Sequence, residues 1–400
     1  MGWSELNPRR QAAQASATGI NRESMLTGSL RSETNTARIG RHRKIWRLIK
    51  VCVMCLPVLI AWYAVEFWNT RIPHTDIAEW LSKNTYHHSR YSTDISSLIA
   101  RKQAANVTIS VVLPAKNEGD TVGAIIEMLR NTFMTDGDND IASGNNFGAK
   151  NDIASGEQRS DNFGAKSQQR LIDEILIIDS DSTDNTSDVS WAAGATAVHA
   201  KRDILPQLTN LPGKGETLWK SLAVARGDII VWLDSDVSNA GPHFVTGLVG
   251  VLLERPDLVL AKGYYERPLI RKGLVQPGEG GRVTELTVKP LLGHLLPEFV
   301  GFYQPLSGEY AIRRDVALEL PFFVNYGVEI GLLIDVASIY GLNRIAQVNL
   351  DTRSHKNRGL KHLSGMANEI VTVVLKRTGL ANQTLVEQMG MERPPMKQYL

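Results

Sequence analysis

DIIVWLDSD, residues 228–236, is the stretch that predicts both the fold of this chain and the place where it binds its ligands. Asp228–Leu233 is a mostly apolar run of strand length, typical of a fully buried strand. Asp234-Ser235-Asp236 follows at once, and two carboxylates spaced by one residue can share one hard cation. Because ligands of open α/β sheets bind beyond the carboxyl ends of the strands, we expect a cation site here. An isolated DxD triplet is a weak signal, and its position after a buried strand gives it weight.

On both sides of this stretch, apolar runs alternate with helical patterns, which is typical of a mostly parallel sheet covered by helices. The predicted strands are Thr108–Leu113, Glu174–Ile178, Ala195–His199, Asp228–Leu233 and Ile345–Leu350. The predicted helices are Asp120–Arg130, a helix through Trp191, Gly215–Arg226, Pro242–Leu253, a helix from Gly280 through Leu292, and Ile330–Tyr340. This order of elements predicts a Rossmann-like α/β fold.

Composition limits the class of protein. The chain has 400 residues, 43% hydrophobic and 22% charged, which is typical of a globular protein. Its 44 Lys and Arg nearly balance 42 Asp and Glu, so it lacks the basic field of a nucleic-acid-binding protein. Both cysteines, Cys52 and Cys55, lie in one apolar run, which excludes a disulfide framework and a four-cysteine zinc site.

Polar residues follow the first two predicted strands. Asn117 and Glu118 of LPAKNE (113–118) could hydrogen-bond a base or ribose, or only initiate the next helix. DSDSTDNT (179–186) could bind the same ligand, or only cap the helix that follows. Since these two polar segments follow successive strands, each strengthens the ligand-binding interpretation of the other.

Two glycine-flanked cations could bind anions at helix starts. Lys214 in PGKG (212–215) has the close backbone approach that a phosphate needs, although a plain turn would look the same. Arg282 in GGRVTE (280–285) suits a phosphate or carboxylate, although a surface arginine on a capped helix would also fit.

Two further segments carry candidate residues. Glu329 begins a helix and could be a dipole-stabilising acid or a ligand-binding one. RSHKNR (353–358) follows a strand, and a histidine beside three cations fits a metal ligand combined with a diphosphate clamp. Between the first helix and the second strand, residues 139–150 recur as 151–166, which we interpret as a duplicated surface loop.

Eight blocks in order resemble the glucosyl-3-phosphoglycerate synthases, which are retaining glycosyltransferases with the GT-A fold. The blocks are VVLPAKNE, DSDSTDNT, PGKGETLWKSL, DIIVWLDSD, GGRVTE, PLSGEYAIRRD, YGVEIGLLID and QVNLDTRSHKNR, between residues 111 and 358. The resemblance spans about Trp80 to Leu380. It implies a GT-A fold, which is Rossmann-like with a mostly parallel central sheet, and a C-terminal helical part that binds the acceptor.

The resemblance also implies a division of the chain and a reaction. We expect a leader (1–79), a nucleotide-sugar-binding half (80–240) with the insert 134–168, an acceptor-binding half (241–385) and a C-terminal tail (386–400). The implied reaction moves glucose from UDP-glucose or GDP-glucose to the 2-hydroxyl of 3-phosphoglycerate, with Mg²⁺ or Mn²⁺ as cofactor. Attack on the same face of the sugar, without a covalent intermediate, and a homodimer are further expectations.

The implied site residues are named here by role. The nucleotide sugar would be held by Pro114, Ala115, Asn117, Glu118, Ser180, Lys214, Asp234, Ser235, Asp236, Glu329, Arg353 and Arg358. The acceptor would be held by Gly281, Arg282, Thr284 and Asn357. The metal would be bound by Asp236 and His355. The catalytic set would be Asp234, Asp236 and Glu329.

The leader leaves the location open. Residues 1–40 lack apolar periodicity and suggest disorder. Val51–Val65 has 15 uncharged residues, fewer than the roughly 20 of a membrane span. If this segment spanned a membrane, the basic residues on its N-terminal side would stay in the cytoplasm. The rest of the chain would then lie on the other side, away from the nucleotide sugars made in the cytoplasm. We therefore expect a cytoplasmic protein in which Val51–Val65 is an interfacial helix with peripheral membrane association, a helix packed on the protein, or a segment upstream of the real translation start.

Three other functions compete with the implied one. A sugar transferase acting on a polyprenyl phosphate is favoured by Val51–Val65 but not by GGRVTE, which suits a small acidic acceptor. An activity like that of mannosyl-3-phosphoglycerate synthase is the second, because the sequence does not decide between glucose and mannose. A non-catalytic binder would be expected to have lost Asp236 or His355, and this chain has both.

Overall fold

The structure is a computed structural model that describes residues 76–134, 170–271, 274–276, 280–354, 359–381 and 391–400. Val51–Val65, both cysteines and the repeated segments 139–150 and 151–166 lie outside the described residues. So do three candidate site residues, His355, Asn357 and Arg358. Among the helices of the described ranges, none combines the length and apolarity that crossing a membrane requires.

The described residues form twelve strands. In chain order they are β1 (Thr85–His87), β2 (Ile109–Ala115), β3 (Glu174–Asp179), β4 (Ala197–Ala200), β5 (Ile229–Trp232), β6 (Leu260–Glu266), β7 (Leu269–Arg271), β8 (Leu274–Gln276), β9 (Tyr310–Arg313), β10 (Phe322–Phe323), β11 (Ile345–Thr352) and β12 (Glu392–Arg393). Eight of them make one sheet in the order β1-β11-β6-β9-β5-β2-β3-β4. All neighbours in this sheet are parallel except β9, which is antiparallel to β5 and β6.

Helices cover the sheet. In chain order they are α1 (Ile77–Asn84), α2 (Ser89–Ser92), α3 (Ile95–Ala105), α4 (Val122–Phe133), α5 (Thr186–Ala192), α6 (Lys214–Val224), α7 (Pro242–Glu254), α8 (Lys289–Leu295), α9 (Arg314–Leu318), α10 (Val328–Tyr340) and α11 (Leu360–Arg377). A π-helical turn, Thr284–Val288, leads directly into α8. Single 3₁₀ turns lie at Lys201–Asp203, Pro297–Phe299, Leu342–Arg344 and Met396–Gln398.

The core forms because the central strands are apolar on both faces, as parallel strands between helices must be. Every residue of β5 is buried, and its partner β2 is buried from Ile109 to Leu113. The register pairs Val112 with Trp232, and the indole Nε1 of Trp232 donates to Ser221 Oγ at 3.0 Å. The burial of each Val, Leu or Ile side chain in these strands contributes roughly 1.5–3 kcal/mol to the stability of the fold. The mostly parallel α/β sheet predicted from the sequence is confirmed.

The predicted domain boundaries differ from the structure at both ends. The leader was expected to reach residue 79, yet α1 begins at Ile77, capped by Asp76, whose side chain accepts from Ala78 N at 2.8 Å. Trp80 of this helix is 1% exposed and donates to Leu342 O at 3.0 Å. A short helix followed by a three-residue strand gives little periodicity, which is why the boundary was set too late.

The expected C-terminal tail is also part of the fold where it is described. β12 pairs with β10, the indole Nε1 of Trp219 donates to Pro394 O at 2.8 Å, and Met396 is fully buried. The two predicted halves share one sheet, because β6, β9 and β11 lie beside the strands of the first half. Tertiary contacts with α6, β10 and α11, rather than any local pattern, fix these last ten residues.

Candidate active site

The Asp234-Ser235-Asp236 triplet follows β5 and is fixed to the end of β2. Ser235 Oγ donates to Pro114 O at 2.7 Å, and Thr121 Oγ1 donates to Ser235 O at 2.6 Å. These bonds hold the backbone between the two aspartates. All three residues of the triplet line a cavity of about 660 Å³ at the carboxyl ends of the parallel strands.

Arg353 bridges the two carboxylates. Its Nη2 lies 2.7 Å from Asp234 Oδ2 and 3.0 Å from Asp236 Oδ1. Its Nε donates to Glu309 Oε1 at 2.7 Å, and the side chain is 3% exposed. The arginine predicted for the diphosphate therefore lines the same cavity but binds protein carboxylates in this structure.

Lys214 joins Asp234 to Glu329. Its Nζ lies 2.5 Å from Asp234 Oδ1 and 2.7 Å from Glu329 Oε1. The flanking glycines are required, because Gly213 has φ +103° and a Cβ on Gly215 would lie 1.7 Å from Phe323 O. The PGKG turn thus brings the start of α6 against β10 and directs the ammonium into the acidic cluster.

The charges in this cluster shift one another's protonation. Burial alone would raise the pKa of Asp234, but the Lys214 ammonium and the Arg353 guanidinium outweigh it and hold that pKa well below its usual range. Burial, followed by the negative charge of Asp234, raises the pKa of Asp236. Burial would lower the pKa of Lys214, whereas Asp234 and Glu329 raise it well above its usual value. Asp234 is therefore a fixed anion, and Asp236 is the carboxyl that most needs a further cation.

The two polar loops after β2 and β3 bond to each other. Asn117, at φ +57°, accepts from Thr183 N on its Oδ1 at 2.7 Å, and its own N donates to Ser182 Oγ at 2.9 Å. Among the residues predicted to hold the nucleotide sugar, Pro114, Ala115, Glu118 and Ser180 line the cavity. Asn117 does not line it, so its visible contact is between the loops.

Three of the four predicted acceptor residues line the same cavity at the start of the turn Thr284–Val288, and the fourth, Asn357, lies outside the described residues. Gly281, Arg282 and Thr284 all contribute to its wall, and Gly281 has φ +70°. Gly280 N donates to Arg267 O at 2.9 Å, and a Cβ there would lie 2.3 Å from that oxygen. The glycine pair therefore allows a close backbone approach that places Arg282 and Thr284 on the cavity.

Beneath the acidic pair Asp234 and Asp236 lies a layer of buried polar side chains to which the sequence patterns assigned no role. Glu309 is fully buried, and its Oε2 accepts from the Tyr265 hydroxyl at 2.5 Å. Lys262, also buried, donates to Ser307 O at 2.9 Å. One feature of the sequence could have indicated this layer. Glu309 is an acid directly before strand β9 within the PLSGEYAIRRD block, and a buried carboxylate needs a partner. Tyr265, Arg267, Lys201 and Tyr326 also line the cavity without having been predicted.

The residues present fit a hard divalent cation. Carboxylate oxygens are the ligands that Mg²⁺ and Mn²⁺ prefer, and a guanidinium nitrogen already lies between the two carboxylates. The segment that leads to His355 also lies alongside, because Ser238 N donates to Ser354 O at 3.1 Å and Ser354 N donates to Asn239 Oδ1 at 2.7 Å. The metal assignment of Asp236 and His355 remains a prediction, since His355 is outside the described residues.

Comparison with known proteins agrees with this geometry. Residues 164–276 match the family model for glycosyl transferase family 2. The chain is 42% identical over 295 residues to glucosyl-3-phosphoglycerate synthase of Petrotoga mobilis, covering 74% of this chain and 80% of the relative. It is 40% identical over 303 residues to the protein of the same name from Mycolicibacterium smegmatis, covering 76% and 87%.

Solved structures give the same result. Glucosyl-3-phosphoglycerate synthase of Mycobacterium tuberculosis, in complex with Mn²⁺, UDP-glucose and phosphoglyceric acid, matches with a TM-score of 0.63 and 37% identity, covering 79% of this chain and 99% of that one. The same enzyme with Mg²⁺ and uridine diphosphate matches with a TM-score of 0.62. From its fold, its cavity and these relatives, the chain belongs to the glucosyl-3-phosphoglycerate synthase family of glycosyltransferases.

Proposed function

We propose that this protein transfers glucose from UDP-glucose to the 2-hydroxyl of 3-phosphoglycerate and so produces glucosyl-3-phosphoglycerate. The observation that carries the proposal is one cavity lined by the acidic pair Asp234 and Asp236 and also by Arg282 and Thr284. The first pair suits a metal-bound diphosphate, and the second suits a small acidic acceptor. GDP-glucose is the alternative donor.

The donor end would be arranged by residues that already contact one another. Asp236, with His355, would hold Mg²⁺ or Mn²⁺, and the bound cation would supply positive charge to the leaving diphosphate. Asp234 holds Lys214 and Arg353, which line the cavity as the fixed cations. Arg358, with Arg353, would contact the diphosphate.

The acceptor end would be formed by the helix start at Thr284–Val288. Backbone N–H groups and the Arg282 guanidinium would bind the phosphate or the carboxylate of 3-phosphoglycerate. Asn357 would complete this subsite. Because the wall is polar and cationic, it favours a small anion over a polyprenyl chain. The relatives, moreover, carry the name of the phosphoglycerate enzyme, and none of the relatives cited suggests polyprenyl or mannosyl transfer.

The chemistry would proceed with retention of configuration. The acceptor hydroxyl would attack from the face that the diphosphate leaves, and the leaving phosphate oxygen would take its proton. Glu329 would orient the glucose hydroxyls and would not attack the sugar. In support of this role, its carboxylate is paired with Lys214 at 2.7 Å and is 7% exposed, so it already has a fixed partner in the cavity wall.

A substrate screen tests the proposal. UDP-glucose, GDP-glucose and GDP-mannose are each supplied with 3-phosphoglycerate, with and without EDTA. We expect product from UDP-glucose, none with EDTA, and recovery on adding Mn²⁺. Asp236→Ala is expected to lose activity, whereas Asp188→Asn, an exposed acid on α5, keeps it. Turnover that persists with EDTA and in Asp236→Ala would contradict the metal-dependent reaction.

We also propose a cytoplasmic location, because nucleotide sugars are made there, and a homodimer. In support of the homodimer, Leu286, Val300 and Tyr303 are large apolar side chains that are at least 48% exposed, as side chains in subunit contacts can be. Light scattering of the purified chain tests the dimer. Cell fractionation of the full chain and of a chain starting at Arg71 tests whether residues 1–70 add peripheral membrane association.

A further inference from the structure

A second cluster of metal-binding side chain types lies at the outer edge of the sheet. His87 and His88, at the end of β1, face Asp351 of β11. His87 Nε2 lies 3.1 Å from Asp351 Oδ1, and His88 Nε2 lies 2.6 Å from Asp351 Oδ2. The potential ligand atoms all lie within 4.8 Å of one another, and none of the three residues lines the active-site cavity.

The contacts of the His88 ring point Nδ1 at Ser92 and Nε2 at Asp351. Its Nδ1 lies 2.9 Å from Ser92 Oγ, and that hydroxyl donates its proton to His88 O at 2.8 Å. The Ser92 oxygen therefore accepts from Nδ1–H, which leaves Nε2 of a neutral ring without a proton. This nitrogen lies 2.6 Å from a carboxylate oxygen, which is a hydrogen-bond distance, so a metal ion bound by both atoms would replace the proton that they share.

The surroundings hold the three groups in place. Asp351 has φ +64°, a conformation that residues other than glycine rarely adopt, at a point where the register between β11 and β6 shifts. The ring of His243 packs against that of His88 with 4.7 Å between centroids. Ser89 N donates to His87 Nδ1 at 3.2 Å, and Ser89 Oγ lies 2.9 Å from the same nitrogen, so both contacts fix that ring. A metal ion on His87 Nε2 would move the ring proton to Nδ1, which would then donate to Ser89 Oγ, the kind of outer contact that orients metal ligands.

We propose that His87, His88 and Asp351 form a zinc-binding site that clamps the edge strand β1 to β11. Two imidazoles and one carboxylate suit Zn²⁺, whereas Mg²⁺ prefers a shell of oxygens. Bonds of about 2.0–2.1 Å in a tetrahedral site place ligand atoms roughly 3.3 Å apart, so the two nitrogen–oxygen distances of 3.1 and 2.6 Å need to lengthen by less than about 1 Å. Binding releases the protons now shared with Asp351, and water can fill the fourth position because His87 and Asp351 are about half exposed.

The experiment is a zinc titration of the full chain, followed by calorimetry and by thermal unfolding. His88→Asn keeps a donor near the position of Nδ1 and removes Nε2. Asp351→Gly removes the carboxylate and adopts the positive φ without cost. His294→Asn, an exposed histidine at the end of α8, is the matched control. We expect wild type and His294→Asn to bind one more Zn²⁺ than the two site variants. We also expect zinc to raise the melting temperature of wild type and His294→Asn by more than it raises that of the site variants.

The active site could bind Zn²⁺ as well, so the series is repeated in an Asp236→Asn background, where the same difference of one ion is expected. The proposal would be overturned if both His88→Asn and Asp351→Gly bound as many Zn²⁺ ions as wild type and gained as much stability from zinc. The cluster would then be a proton-shared pair of histidines with an aspartate. Crystals grown with Zn²⁺ locate the ion directly, and we expect an anomalous peak about 2 Å from His88 Nε2.

Discussion

Glu309 shows at the scale of one residue how the acidic pair is positioned. Its Oε1 accepts from Arg353 Nε, and the same guanidinium bonds Asp234 and Asp236 through Nη2. Glu309 lies beneath the cavity and acts through Arg353, so we regard it as a positioning residue. Without its negative charge, Arg353 would be free to turn away from the carboxylates.

We therefore expect Glu309→Gln to lower kcat by about 10- to 100-fold and to change the Mn²⁺ concentration that gives half-maximal activity. Tyr265→Phe, which removes only the hydroxyl that donates to Glu309 Oε2, is expected to have a smaller effect on both. The measurement is activity against Mn²⁺ concentration, with thermal unfolding run alongside. A drop in stability with an unchanged Mn²⁺ requirement would assign Glu309 a structural role only.

Lys262 gives a pH-dependent stability of known sign. Burial lowers its pKa to about 8, from 10.5 when it is unperturbed. Between these two values the unfolded chain binds more protons than the folded one, so this residue makes stability rise as pH increases across that window. We compare the unfolding free energy of wild type with that of Lys262→Met. As pH increases, the difference, wild type minus variant, should rise by about 1 kcal/mol per pH unit at most. Denaturant titrations between about pH 8 and pH 10.5 check it; a flat difference would contradict it.

At the scale of elements, α6 and β10 are in backbone contact through Gly215. A Cβ at this position would lie 1.7 Å from Phe323 O, and backbone cannot yield as a flexible side chain does. We expect Gly215→Ala to destabilise the protein by about 2–4 kcal/mol and to reduce activity by displacing Lys214. Gly293→Ala in α8, where the nearest atom would be 4.0 Å away, is the matched control. Equal melting temperatures for the two variants would show that α6 can move freely.

The elements also show how far sequence patterns reach. β2, β3 and β5 were predicted to within two residues because each is a continuous apolar run. β9 was missed, since Tyr310–Arg313 is short and becomes a strand only between β5 and β6, whose residues are far away in the chain. The cavity lining by Lys214, Asp236 and Arg282 followed from motifs. The pairing of Arg353 with Glu309 could not, because it depends on side chain packing across 44 residues.

At the scale of the whole molecule, the last ten residues reach back to the start of α6. Arg393 Nε lies 2.7 Å from Glu216 Oε2, and the Glu216 side chain is fully buried. Removing Arg393 leaves the buried Glu216 carboxylate with weaker partners, Lys220 Nζ at 4.0 Å and Leu211 N at 3.4 Å.

Arg393→Ala should therefore lower the unfolding free energy by about 3 kcal/mol. Lys397→Ala, which removes an exposed pair with Glu319, should change it by less than about 1 kcal/mol. Chemical denaturation of the two variants measures the difference. If both variants match wild type, the C-terminal residues do not stabilise the fold.

The account rests on a cation held by Asp236 and His355 beside the diphosphate of the donor. The most direct measurement is a crystal structure of the chain with Mn²⁺ and uridine diphosphate, with the ion located by its anomalous signal. We predict one Mn²⁺ within about 2.2 Å of a carboxylate oxygen of Asp236, an imidazole nitrogen of His355 and a phosphate oxygen. An imidazole of His355 remote from Asp236, with no ion at the acidic pair, would contradict the account.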